Sequence, residues 1–286
     1  MFAAKGKGGN QFSFYQAGMS SQAEYRLETE SQLRRAIERD EFKLHFQPVI
    51  ELGSNRLVAA EVLLRWHNNE LRNPGPDQFI SVAEECGMIG MIGEWVMINA
   101  CQQAMRWRRA GLPEINIAVN ISARQFEESE IVDTVRRALQ QSGLPARQLE
   151  LEITEGLLIN DTPNLRQCFQ ELKALGVRLS LDDFGTGYSS LNYIHRLPIH
   201  TLKVDQSFVK AIRRGEDGAC IVNAIVAMAH GLKLQIVAEG VETDEQLTYL
   251  KSLGCHQVQG FFYGPARPAD VIGKTLGHTP ARAVAF

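Results

Sequence analysis

Residues 177–183 alternate apolar and polar and then finish on two adjacent acids. Val177, Leu179 and Leu181 read as one face of a β-strand, and Asp182 and Asp183 follow directly. Consecutive strand side chains point to opposite faces, so both acids reach one pocket only if the strand stops there. The pair is therefore expected to mark a strand terminus. Behind it, Gly185 and Gly187 free the backbone to turn, and Ser189 or Ser190 is placed to cap a short helix that stops before Pro198. A strand that ends in acids and opens through a glycine loop suits a metal. In isolation the same pair reads more simply as a solvated, helix-capping turn.

The rest of the chain repeats the pattern. INIAVN ends on Asn120, LELEITE carries Glu152 and Glu155, and TLKVDQ carries Lys203 and Asp205. QIVAEG ends on Glu239 and HQVQG on Gln259. Helical segments separate these strands: Thr162 with Pro163 starts one that ends at Gly176, and Thr243 with Gln246 forms a capping box for one that ends at Gly254. A charged helix is expected over 24–39. Two earlier strands, EFKLHFQPVIEL and LVAAEVLLRW, flank a turn at Gly53, Ser54 and Asn55 and are expected to pair as a hairpin, the second carrying Glu61. Eight strands alternating with helices over close to ~250 residues predict an α/β fold of the β/α-barrel type. An open doubly wound sheet would gather polar strand ends around one switch point only, whereas these are spread over most strands.

Composition limits the partners. Thirty basic against thirty-three acidic residues give a net charge of -3, with no broad footprint for a nucleic acid polymer or an anionic membrane. The apolar stretches near 88–98 and 221–241 are broken by Glu94, Asn223, His230 and Lys233, so no membrane segment is expected. Five scattered cysteines without a CxxC read as reduced packing residues of a cytoplasmic protein.

In a barrel, the C-terminal strand ends converge on one mouth. Glu61, Asn120, Glu152, Asp182, Asp183, Lys203, Glu239 and Gln259 would meet there. Five carboxylates against one ammonium leave a formal charge of minus four, which a partly dry pocket does not hold without counter-ions. Two divalent cations would cancel it, and an all-oxygen donor set with Asn120 as a neutral member suits magnesium or manganese better than zinc. Hydrolysis of a phosphate ester is the chemistry such a pocket performs. Asp182 is the natural bridging ligand, with Asp183 beside it. Lys203 is placed to orient a water or steady a phosphate oxygen, unless it is a structural ion pair, and Arg65 to grip phosphate from the rim. No P-loop, GxGxxG or catalytic triad spacing is present.

These residues stand in longer motifs: QPV at 47–49, EVLLRW at 61–66, VNIS at 119–122, LEITE at 151–155, DDFGTGYSSL at 182–191, KVDQSFV at 203–209, VAEGVET at 237–243 and QGFFYG at 259–264. From about Leu33 to Pro268 the chain resembles the EAL-domain phosphodiesterases that hydrolyse cyclic di-GMP. The resemblance implies a TIM-like (β/α)8 barrel whose first strand runs antiparallel, and metal-dependent opening of the cyclic dinucleotide to linear pGpG. It implies metal ligands at Glu61, Asn120, Glu152, Asp182, Asp183 and Glu239, with Glu61, Asp182, Lys203 and Glu239 carrying catalysis. Gln47, Arg65, Asn120 and Gln259 become substrate contacts, and Glu155 an anchor for the glycine loop. Two magnesium or manganese ions are the expected cofactors, with calcium inhibitory. The alternative is a weakly catalytic EAL domain serving as a cyclic di-GMP receptor; every matched ligand is present, which favours the enzyme.

Two departures stand out: Val62 replaces alanine in the signature triplet, and residues 67–79 lack the usual proline and glycine pattern of their loop. AKGKGGNQFSFY resembles the end of a GGDEF domain. The expected organisation is thus a GGDEF-like remnant and linker over 1–22, an EAL barrel over 23–275 and a tail over 276–286. The partners expected are cyclic di-GMP, upstream GGDEF or sensory domains, which leave a membrane tether elsewhere in the full protein open, and in one open alternative a second copy of the chain.

Overall fold

A computed structural model of the chain describes residues 17–127, 130–159, 162–185, 197–212 and 218–276. It divides into two units. The segments up to 42 and from 66 to 88 form a smaller one, and the segments 43–65 and from 89 onward a larger one.

The smaller unit contains α1 (Ala17–Ala36) and α2 (Pro76–Glu85). The helix expected over 24–39 thus begins earlier, where no proline interrupts it, and ends earlier. Its end follows from the backbone: Asp40 takes a positive φ of 53°, and Glu41 N donates back to the Ala36 carbonyl at 3.0 Å. Phe42, Trp66 and Phe79 pack as three mutually tilted rings with centroids 5.4–6.2 Å apart. Glu41 accepts from Trp66 Nε1 at 2.8 Å and from Asn68 Nδ2 at 3.0 Å, while Asn68 Oδ1 accepts from Leu71 N. The unusual 67–79 segment is therefore ordered by its own buried asparagine.

In the larger unit the apolar alternation becomes a barrel. Its strands are β1 (Phe42–Glu51), β2 (Arg56–Trp66), β3 (Asn116–Ile121), β4 (Leu149–Thr154), β5 (Arg178–Phe184), β6 (Thr201–Val204), β7 (Gln235–Ala238) and β8 (Gln257–Val258). From β2 to β8 each strand pairs in parallel with the next; β1 pairs antiparallel with β8 and also pairs with β2, which closes the ring. This is the TIM-like barrel with a reversed first strand that the sequence leads one to expect. A short β9 (Arg267–Pro268) adds to the β1 edge.

Parallel strands covered on both faces need continuous apolar runs, and they have them: Ile117, Leu149, Leu151, Leu179, Leu181, Leu202 and Ile236 are inaccessible to solvent. Around the strands lie α3 (Ile89–Arg109), α4 (Ala123–Glu127), α5 (Ile131–Ser142), α6 (Pro163–Leu175), α7 (Gln206–Ala211), α8 (Gly218–Gly231), α9 (Asp244–Ser252) and α10 (Ala269–Leu276). Their punctuation matches the sequence. Thr162 Oγ1 accepts from Leu165 N and Gly176 closes α6 in the left-handed region at φ 84°; Thr243 and Gln246 form the box at the start of α9.

Two expectations need correction. β5 does not stop at the acid pair but runs on to Phe184, with its register to β6 shifting between Leu181 and Phe184 and Asp183 at a positive φ of 53°. A left-handed residue breaks the strict alternation, which removes the need for a strand end. And the five cysteines, all free, are not all packing residues: Cys101 and Cys255 are buried, but Cys220 on α8 is exposed. The expected helix from Ser189 or Ser190, and Gly187, lie outside the described residues.

One glycine is fixed by close approach. Gly260, just beyond β8, has φ 156°, and a Cβ there would lie 2.3 Å from both the N and the O of Val241. The substitution Gly260→Ala must push two backbone segments apart, and overpacking against backbone is expected to cost about 3 kcal/mol or more. Urea unfolding measures it; an unchanged midpoint would contradict the contact.

Candidate active site

The acids sit where inward-facing strand residues leave the packed interior for the mouth of the barrel. Glu61 comes from β2, Glu152 from β4, Asp182 from β5 and Lys203 from β6; Glu239 follows β7 and Gln259 follows β8. The backbone ladder continues past the strand ends to hold the last two: Glu239 N donates to the Val204 carbonyl at 3.0 Å and Gln259 N to that of Ala238 at 2.9 Å.

Lys203 lies at the centre and is 3% exposed. Its Nζ is 2.8 Å from Glu239 Oε1, 3.0 Å from Glu152 Oε1, 3.1 Å from Asp182 Oδ1 and 3.7 Å from Glu61 Oε2. Four carboxylates thus surround one ammonium. Burial alone would lower the lysine's pKa, but the four negative charges outweigh it and hold Lys203 well above its usual range. The acids divide among themselves. Burial pushes Glu61 up, but Lys203 together with hydrogen bonds from Gln259 and Asn120 pulls it below the ordinary carboxylate range. Asn120 Nδ2 donates to Glu61 Oε1 at 2.8 Å, and Gln259 Nε2 donates to Oε2. Glu152 is raised well above that range by burial, with three like-charged neighbours adding to it against the pull of Lys203. Burial also raises Glu239, to about 7, and Asp183, with Asp182 next in effect.

The kink in β5 brings the second acid to the mouth. Carboxylate oxygens of Asp182, Asp183 and Glu239 lie within 4.8 Å of one another, and Asp182 Oδ1 accepts from Asp183 N at 2.9 Å. Glu155, buried, accepts from Gly185 N at 3.1 Å, so its carboxylate holds the chain two residues beyond Asp183. Within this cluster, two buried acceptor oxygens have no hydrogen-bond partner among the described residues, Glu152 Oε2 and Gln259 Oε1. Orphaned buried oxygens beside clustered carboxylates are the donor set a hard divalent cation takes up.

A cavity of about 290 Å³ opens beside these groups, with Gln47, Glu61, Asp182, Glu239 and Gln259 in its lining. Of the residues singled out from sequence, Glu61, Asn120, Glu152, Asp182, Asp183, Lys203, Glu239 and Gln259 form the acidic centre and Gln47 its neighbour. Arg65 is different: half-buried on β2, it donates to the Leu64 carbonyl at 2.9 Å and is not among the residues lining the cavity. Val62 is buried on the strand face opposite Glu61, so the alanine replacement leaves the acid where it is. Leu63, Gln206, Lys210, Gly240, Glu242, Gly260 and Phe261 also line the cavity and were given no role from sequence. Most lie inside motifs quoted above, but spacing alone does not say which motif residues face inward.

Fold and site together define a TIM-like barrel with a reversed first strand and a carboxylate-rich mouth around one buried lysine. The chain belongs to the EAL domain family, whose model matches residues 30–266. It is 42% identical over 270 residues to the bifunctional diguanylate cyclase/cyclic di-GMP phosphodiesterase MucR of Pseudomonas aeruginosa, covering 94% of this chain and 39% of that protein. It is 40% identical over 273 residues to the cyclic di-GMP phosphodiesterase NbdA of the same organism, covering 96% and 35%. The chain therefore spans well under half the length of these relatives. Among solved structures, the PaMucR phosphodiesterase in complex with c-di-GMP superposes with a TM-score of 0.82 at 43% identity, over 86% of this chain and 99% of that one.

Two predictions follow from the charge arrangement. Lys203→Met leaves three buried acids and the partly buried Glu239 without their cation, and removing one partner of a buried ion cluster costs about 3–5 kcal/mol; urea unfolding in the presence of a chelator is expected to register that loss. The second concerns pH. Since Glu239 titrates at about 7 in the folded chain against 4.5 ordinarily, its contribution to stability is fully present below pH 4.5 and is lost as pH rises through 7. In chelator, wild type is expected to fall progressively below Glu239→Gln between pH 5 and 8 in melting temperature; parallel curves would refute the assignment.

Proposed function

We propose that the chain hydrolyses cyclic di-GMP to linear pGpG in a reaction that depends on divalent cations, as part of bacterial second-messenger signalling in the cytoplasm. The observation that carries this is the ring of four carboxylates around Lys203 at the mouth of a barrel that is 43% identical to a phosphodiesterase solved with c-di-GMP. In this reading Glu61, Asn120, Glu152, Asp182, Asp183 and Glu239 hold two magnesium or manganese ions. The donor set fits them: all oxygen, with an unpartnered Glu152 Oε2 and three carboxylates within 4.8 Å. Such ions, when bound, supply Lewis-acid polarisation of the phosphoryl group and acidify a water.

The chain's own residues do the rest. The acids give the pocket its negative potential, which repels a dianionic ligand until it is neutralised and so ties substrate binding to cation binding. Lys203, held in place by its four partners, brings its positive charge beside the attacking water or a phosphate oxygen. Gln259 and Asn120 fix the rotamer of Glu61, and their remaining polar atoms, with Gln47, contact substrate; Arg65 joins them when its guanidinium leaves the Leu64 carbonyl for a phosphate. Glu155 anchors Gly185 and thereby the position of Asp183. Water adds its oxygen to phosphorus and releases a proton, the P–O3′ bond breaks, and the departing ribose oxygen takes up a proton in its place, leaving a 5′-phosphate and a 3′-hydroxyl.

Regulation by upstream GGDEF or sensory domains, with 1–22 as the end of such a domain, belongs to the same reading and draws on the greater length of the relatives. No helix among the described residues is long and apolar enough to cross a membrane. Calcium, with its longer and looser coordination, is expected to support substrate binding and to compete with magnesium without turnover.

The test is nucleotide separation after incubation with cyclic di-GMP. Turnover is expected with magnesium or manganese, none after chelation, and a loss of about 100-fold or more in Asp182→Asn with the fold intact. Tight binding of cyclic di-GMP without cleavage in either metal would instead favour the receptor alternative.

A further inference from the structure

Among the described residues the large apolar side chains left in solvent are Leu27, Met91, Ile221 and Phe261. Of these, Phe261 alone lines the cavity, and it is 67% exposed. Exposing a phenylalanine forfeits the stabilisation that burial of its ring would give, so its display calls for a cause.

The backbone enforces that display. Gly260 presses against Val241 so closely that no Cβ fits between them. Val241 N donates to the Gln259 carbonyl at 3.1 Å, and Phe262 N donates back to the Val241 carbonyl at 2.9 Å. Tyr263 N and Gly264 N both donate to the Gly260 carbonyl. The next two aromatic rings are engaged elsewhere: Phe262 and Tyr263 pack edge to face at 5.1 Å, and Tyr263 Oη donates to Asn55 Oδ1 at 3.1 Å. Position 261 is thus pinned on both sides with its ring left at the cavity. A phenyl ring has no hydrogen-bonding atom, so what it offers a ligand is a π-face, and the ligand in the proposed reaction carries two flat purine bases.

We infer that Phe261 is a stacking platform for one guanine base of the dinucleotide, and so a residue that sets affinity for purine-bearing substrates. The inference rests on the proposed activity. Stacking of a base on an aromatic side chain is lost on truncation to alanine with an effect of about 5-fold upward, and a partly solvated platform belongs at the lower end of that range. The loss falls mainly on binding, because the ring has no group that takes part in bond making or breaking.

The experiment compares Phe261→Ala, Phe261→Leu and Phe261→Trp with wild type in two measurements. One is calorimetric affinity for linear pGpG in magnesium, and the other is KM and kcat for cyclic di-GMP. Alanine and leucine are both expected to weaken pGpG binding and raise KM by about 5- to 20-fold, with a smaller change in kcat, while tryptophan holds or improves affinity. Leucine matching tryptophan would reduce the site to simple apolar contact and overturn the inference, as would alanine binding within about twofold of wild type or a wild type that binds no pGpG. If alanine fails to fold, the leucine to tryptophan ratio decides. A wild type that binds pGpG through Phe261 yet leaves cyclic di-GMP intact would sink the proposed activity while leaving the platform standing.

Discussion

One buried ammonium holds the site together. Lys203 is the counter-charge for acids that arrive on four different strands or strand ends, Glu61, Glu152, Asp182 and Glu239, each within 4 Å of it. Without it the mouth would carry only repulsion, and the strand ends would be driven apart by the same charges that make the pocket reactive. The lysine is buried with the rest of β6, all four of whose residues are shielded from bulk water. The price is divided unequally: Glu61 is stabilised as an anion by two amides, whereas Glu152 and Glu239 are pushed toward their neutral forms.

The barrel explains why these acids are so far apart in sequence and so close in space. Each parallel strand delivers a residue to the mouth, β5 delivering two, and the next connection resets the chain for the following strand. Hydrogen bonds shared between strands fix relative heights: Asn120 is level with Glu152, and Thr154 with Asp182. The reversed β1 contributes differently, presenting Gln47 from within its length rather than from a C-terminal end.

Much of this was legible in the chain itself. Apolar alternation identified every barrel strand, including β8, which is only two residues long, because the polar residue after it kept the pattern. Helix ends were legible where a side chain does the capping, as at Thr162 and Thr243, or where a glycine supplies a left-handed stop, as at Gly176. Backbone conformations of residues other than glycine were not. Nothing in the letters Asp40 or Asp183 announces a positive φ, and that is why α1 was expected to run on to 39 and β5 to stop at its acids. Nor does spacing reveal orientation at a rim: Phe261 reads as one more aromatic in a run of three, and Cys220 as one more packing thiol. Arg65 shares the inward face with Glu61 by strand period, yet its guanidinium turns to a backbone carbonyl, a choice made by local hydrogen bonding that no period encodes.

The left-handed turn of the chain at Asp183 also separates shape from charge. Aspartate and asparagine are the residues besides glycine that most readily adopt this conformation, so the backbone at 183 accepts either, and the two differ by a single atom and one unit of charge. A lineage could therefore exchange carboxylate for amide there with the barrel, the kink and the neighbouring Asp182 all retained. On the proposed activity, Asp183 holds a metal ion, so turnover and bare ligand recognition are then only one codon apart, and a descendant that senses a nucleotide without cleaving it needs no new architecture to arise.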